Sequence, residues 1–137
     1  MACTHAVTLN TDRELSEARL RQIYSTFCLN LDRKILGRRS VTKMNAALRL
    51  RGFAFPENLM TNAHLHCALD LTALATKVGC EDQLAFAILS TWHQATRGAG
   101  TVFVRPINNP TAWAKYISKF ADRRDPKYFL TEDFHRA

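Results

Sequence analysis

The sequence predicts an α/β domain of the α+β kind: a central antiparallel sheet of four or five strands with helices packed on it. Three observations point there. Several short stretches alternate apolar and polar residues, the period of a half-buried strand. Between them lie stretches whose apolar residues recur every three or four positions, the stripe of a helix covering a core. The clearest strand pattern, Asn62-Ala63-His64-Leu65-His66-Cys67-Ala68-Leu69-Asp70-Leu71, carries leucines and cysteine on one parity and two histidines on the other.

The elements follow in order. Residues 6–11 read as a first strand, with Val7 and Leu9 on one face and Thr8 and Asn10 on the other. After Ser16, the spacing of Leu20, Ile23, Phe27, Leu31 and Ile35 predicts a helix that stops at Gly37. A second strand is expected over residues 47–56 and to Glu57, with Arg49, Arg51, Phe53, Phe55 and Glu57 sharing a face. That face suits phosphates and stacked bases, or alternatively a covering helix with the arginines at the sheet edge. The histidine strand comes next, joined to the second by a hairpin loop over 58–62. The stretch from Leu71 to Val78 is ambiguous between helix and loop.

Beyond Gly79, Glu81 and Asp82 suit a helix N-terminus, and Leu84, Ala85, Ile88, Leu89 and Trp92 supply its stripe. Gly98-Ala99-Gly100 ends it. Residues 101–105 read as another strand, stopped by Pro106. Asn109-Pro110 is a capping residue followed by a first-turn proline, which opens a helix with the stripe Trp113, Ile117 and Phe120. Tyr116 stands at the edge of that stripe, with Lys119 on the same side. A charged tail of uncertain structure begins at about 122.

A chain of 137 residues, 47% hydrophobic and 23% charged, fits one domain over 1–137 with a core of its own. No apolar run is long enough to span a membrane, and no secretory signal stands at the N-terminus. The four cysteines form no Cys-x-x-Cys pair. They read as reduced thiols in a cytoplasmic protein. The net charge of +7 suits a polyanionic partner, or solubility alone.

His64 and His66 project from one face, near enough to share one metal ion. A hairpin brings Glu57 beside them. Two imidazoles and a carboxylate suit Mg²⁺, Mn²⁺ or Zn²⁺ and leave positions for substrate. His5, His93 and His135 read as solvated or capping residues. Tyr24 and Tyr128 read as structural.

With Tyr116-Ile117-Ser118-Lys119 downstream of His64-Leu65-His66, the sequence resembles the HUH single-strand endonucleases, most closely the rolling-circle replication initiators. Thr8-Leu9-Asn10-Thr11 is similar to their first-strand motif, Glu57 stands where they often carry a third ligand, and Tyr116-x-x-Lys119 looks like the single-tyrosine motif. Asn10 replaces a common threonine. The likeness covers most of residues 6 to 121. It implies a metal-dependent nicking and joining enzyme that starts rolling-circle replication through a 5′-phosphotyrosine at Tyr116 and leaves a free 3′-hydroxyl. Glu57, His64 and His66 are then the ligands of Mn²⁺ or Mg²⁺, and Lys119 assists the tyrosine. Thr8, Asn10, Arg49, Arg51 and Arg105 are expected to contact DNA. The expected partners are single-stranded DNA or an origin hairpin, with host replication proteins possible. No Walker-type glycine-rich run is present, so no helicase is expected here. Relaxases and transposases share the class, although the transposases usually take their third ligand from the tyrosine helix. A basic sheet that binds single-stranded RNA or DNA by stacking on Phe53, Phe55 and Phe103, without catalysis, is the alternative from another class.

Overall fold

A computed structural model describes residues 3–41, 47–109, Thr111, Lys115 and 128–135. The chain runs β1 (His5–Asn10), α1 (Glu17–Leu36), β2 (Arg51–Glu57), β3 (His64–Asp70), α2 (Thr72–Val78), α3 (Glu81–Ala95), β4 (Thr101–Pro106) and β5 (Phe129–Leu130). The strands form one antiparallel sheet in the order β4-β1-β3-β2-β5. The expected sheet of four or five strands is therefore present with five. Among the described residues, no helix is long and apolar enough to cross a membrane.

Alternation decides which face of the sheet is covered. Val7 and Leu9 on β1 and Leu65, Cys67 and Leu69 on β3 are all fully buried in one cluster with residues of the helices. Each such aliphatic side chain contributes about 1.5–3 kcal/mol by leaving water. Ser16 caps α1, its hydroxyl accepting the Arg19 N–H at 3.1 Å. The expected stripe of α1 is buried through Leu31, with Ile35 half-buried. In α3, Leu84, Ile88 and Trp92 face the core, whereas Leu89 is 41% exposed. Trp92 also donates its indole N–H to the Asn10 carbonyl at 2.8 Å, tying α3 to the end of β1. Gly100 lies under that ring: a Cβ there would come within 2.6 Å of the indole nitrogen.

Several expectations are changed or resolved. Leu71 to Val78, left open by the pattern, contains the short helix α2, which ends at Gly79 in the left-handed conformation. The second strand starts later than its alternation suggests. Asp32 on α1 is completely buried and accepts from the Leu50 N–H at 2.9 Å and from Arg49 Nε at 2.8 Å. These bonds draw Arg49 and Leu50 down to the helix, and regular pairing begins at Arg51. Arg49, expected on the DNA-binding face, is only 1% exposed. It is a core ion-pair residue, because a buried carboxylate needs a cation beside it. Burial pushes the Asp32 carboxyl up, while the Leu50 N–H and Arg49 pull it back down.

The last stretch is also more ordered than a charged tail. Phe129 and Leu130 pair with Ala54 and Phe53. Phe129 and Phe134 pack on Tyr24, whose hydroxyl bonds Thr131 at 2.9 Å. Arg21 lies over both phenylalanine rings, at 4.8 and 5.2 Å. His135, expected in solvent, is buried and donates Nε2–H to the Leu50 carbonyl at 2.6 Å. His5 is buried as well, with Nε2 held by both Glu81 carboxylate oxygens at 2.9 and 3.0 Å. The helix expected after Asn109-Pro110 falls outside the described residues, apart from Thr111 and Lys115, which are helical.

All four cysteines are described, and all are reduced thiols. Burial first, and the Asp70 charge second, push Cys3 up to about 11. Burial likewise raises Cys28 and Cys67. The thiolate is the reactive form. At pH 8, iodoacetamide should therefore modify exposed Cys80 alone in the native protein and all four cysteines in denaturant, as counted by intact mass. Arg49→Ala should lower the unfolding free energy by about 3–5 kcal/mol, because it strands a buried carboxylate. Arg51→Ala, on the half-exposed strand, should cost less than about 1 kcal/mol. Urea titration compares the two.

Candidate metal centre

The β2–β3 hairpin brings the expected ligands together. In the antiparallel register Glu57 stands opposite His64, and Phe55 opposite His66. Asn58 takes φ 52°, a left-handed turn conformation that asparagine tolerates. Its carbonyl accepts the N–H groups of Thr61 and Asn62, at 3.1 and 2.9 Å, which closes the loop. Beyond the loop, the Ala63 N–H donates to the Arg13 carbonyl and the Thr11 N–H to the Ala63 carbonyl. The start of β3 is thereby tied to the chain leaving β1.

Three atoms converge above the face of the sheet opposite the buried leucines. Glu57 Oε2 lies 3.0 Å from His64 Nε2 and 2.9 Å from His66 Nε2. The two imidazole nitrogens are 3.1 Å apart, with the rings nearly perpendicular at 84°. The side chains are 21%, 13% and 20% exposed for Glu57, His64 and His66, so the cluster is sheltered but open on one side.

The hydrogen bonds behind the rings say what the cluster can hold. His64 Nδ1 lies 2.9 Å from the Asn62 carbonyl oxygen. A carbonyl can only accept, so Nδ1 carries a proton and Nε2 is the nitrogen turned toward Glu57 and His66, where its lone pair can serve as a ligand. His66 Nδ1 faces the Thr8 hydroxyl at 3.4 Å, a longer contact that favours the same orientation of that ring. Lone pairs of two imidazoles and a carboxylate cannot share a space about 3 Å across unless something positive lies between them. A proton on one ring would do this, and so would a divalent cation. Carbonyl- and hydroxyl-backed histidines beside a carboxylate are the usual donor set for such an ion. The cluster Glu57, His64 and His66 can therefore bind a metal ion.

The other expected site residues divide. Thr8 stands beside His66, and Asn10 opposite His64. The Asn10 side-chain oxygen accepts the Asp12 N–H at 2.8 Å, which shapes the turn after β1. Arg51 lies on β2 on the side of Phe53 and Phe55, and Arg105 is exposed at the far end of β4. Arg49 is in the core instead. Tyr116 and Lys119 lie outside the described residues. Phe103, expected with Phe53 and Phe55 as a stacking residue, is 66% exposed opposite Thr8, on the face away from the helices. The alternation that half-buries Val102 and Val104 against the core leaves Phe103 outward.

Manganese titration tests the shared ion. Glu57→Ala, His64→Ala and His66→Ala should each weaken Mn²⁺ binding by more than about 100-fold, and Thr8→Val by about tenfold. Arg105→Ala should leave it unchanged. Full-strength binding in any of the three ligand variants would exclude one ion held by all three.

Comparison with known proteins adds no family assignment: no family model, curated protein sequence or solved structure matches this chain.

Proposed function

We propose that this protein is a metal-dependent endonuclease that nicks and rejoins single-stranded DNA at a specific site, in the manner of a rolling-circle replication initiator. The observation that carries the reading is the convergence of Glu57, His64 and His66 on one face of an antiparallel sheet. Supporting it are the order of motifs in the sequence, with Tyr116-x-x-Lys119 following the histidines, and the charge of +7.

The resemblance to rolling-circle initiators points to Mn²⁺ or Mg²⁺, which a donor set of two imidazoles and a carboxylate suits. Such an ion supplies positive charge for a scissile phosphate. The protein's own residues supply the rest. Glu57, His64 and His66 hold the ion, and Thr8 orients His66. Tyr116, assigned from the sequence, provides the nucleophile. Its phenol oxygen, having lost a proton, attacks phosphorus; the bond to the 3′-oxygen breaks, and that oxygen takes up a proton. The products are a 5′-phosphotyrosine and a free 3′-hydroxyl, and reversal by another 3′-hydroxyl rejoins the strand. Lys119 lowers the cost of bringing a phenolate, with its usual pKa of about 10, to an anionic phosphate. Reduced thiols fit a cytoplasmic setting.

The second reading is a binding module without catalysis. Exposed Phe103, with Arg51 and Arg105, favours it, since these residues could stack bases and meet phosphates with no metal at all. The tyrosine separates the two. Incubated with Mn²⁺ and single-stranded DNA, the wild-type protein should give a shifted band on a denaturing gel. Tyr116→Phe should give none, while its stability changes by about 1 kcal/mol or less. His64→Ala and His66→Ala should lose cleavage but keep most DNA binding. A wild-type protein that binds DNA yet forms no adduct would leave the binding module standing.

A further inference from the structure

Tyr128 stands beside the metal centre and takes no part in the chemistry above. Its neighbour Phe129 pairs with Ala54 and is buried in the core. Tyr128, one residue earlier, turns to the opposite face. Its ring meets Phe53 edge-on, with centroids 5.7 Å apart and planes at 74°. It is tilted against Phe55 at 6.0 Å. Phe55 is the cross-strand partner of His66 and lies two residues before Glu57 on the same strand. Despite these contacts Tyr128 is 53% exposed. An exposed ring steadied by two others offers a fixed aromatic face with little side-chain freedom left to lose on binding. Arg51 lies on the same strand and the same face as Phe53 and Phe55.

We infer that Tyr128, held on Phe53 and Phe55, is a stacking platform for one unpaired base of a single-stranded DNA lying across the metal centre. The inference rests on the nucleic-acid substrate of the reading above and adds to it a residue beyond the stretch that carries the family resemblance. Every base has a π-face, so the platform is tolerant of sequence. A duplex hides those faces in its own stack, so the platform selects single strands. It also places the adjoining phosphate toward Glu57 and His66.

The test uses the full chain with a short fluorescein-labelled oligodeoxythymidylate, followed by anisotropy in the presence of a chelator. Tyr128→Ala should weaken binding by about 5- to 100-fold, whereas Tyr128→Phe, which keeps the ring, should stay within about twofold of wild type. One abasic site is then moved along the oligonucleotide. At one position it should weaken wild-type binding by the factor that Tyr128→Ala costs, and should leave binding by Tyr128→Ala unchanged. A merely structural role for Tyr128 would give both proteins the same abasic profile. That result, or equal affinity of Tyr128→Ala and wild type, overturns the inference. Adduct formation with Mn²⁺ is scored separately. Unchanged affinity in Tyr128→Ala together with a wild-type adduct discards the platform and keeps the nuclease. Weakened affinity with no wild-type adduct keeps the platform and discards the nuclease.

Discussion

β3 is paired on both sides, to β1 and to β2, and its register on each side decides which residues meet above the sheet. Because side chains alternate, a slip of one residue against β2 would send Glu57 to the helix side and bring Pro56 toward the histidines. Several features hold the register. The leucines of β3 are committed to the core. Gly52 approaches the Ala68 carbonyl so closely that a Cβ would lie 2.1 Å from that oxygen, and its φ of 138° suits glycine alone. Its N–H is taken by Glu132 at 2.9 Å. Two imidazoles and a carboxylate at hydrogen-bond distance are a crowded arrangement, and this network is what holds them there.

The parts of the structure legible in the sequence are those set by neighbours a few positions away. Alternation in 62–71 identified β3 and its two faces. The three-to-four spacing found α1 and α3, and the length of the loop put Glu57 beside His64. The parts that were not legible depend on distant partners. Nothing local marks Arg49 as buried, since its environment is set by Asp32 on α1. The same holds for His135, which needs Leu50, and for His5, which needs Glu81. β5 is only two residues long, too short for a periodicity to show. Leu71 to Val78 had the composition of a short helix, but seven residues give the period little room.

Asp32 and Arg49 illustrate a choice between stability and definition. A well-packed apolar pair in their place could hold α1 to the sheet at least as strongly. A buried carboxylate, however, accepts only particular partners. By taking both Arg49 Nε and the Leu50 N–H, Asp32 determines where the chain stops following the helix and starts following the sheet. That sets the first residue of β2, and through the strand's length the position of Glu57 at its other end.

The small strand β5 and the turn after it have a consequence for biosynthesis. Thr131 closes on Tyr24 across 107 positions of sequence, and His135 on Leu50 across 85. While the chain emerges from the ribosome, α1 and β2 are complete long before these partners exist. During that interval the Tyr24 side of the core is uncovered, and the outer edge of β2 at Phe53 and Ala54 is open to strand pairing with another chain. Contacts of such long range also slow the final closure. Aggregation of nascent protein would thus centre on β2, the strand that carries Glu57, until residues 129–135 arrive to cover it.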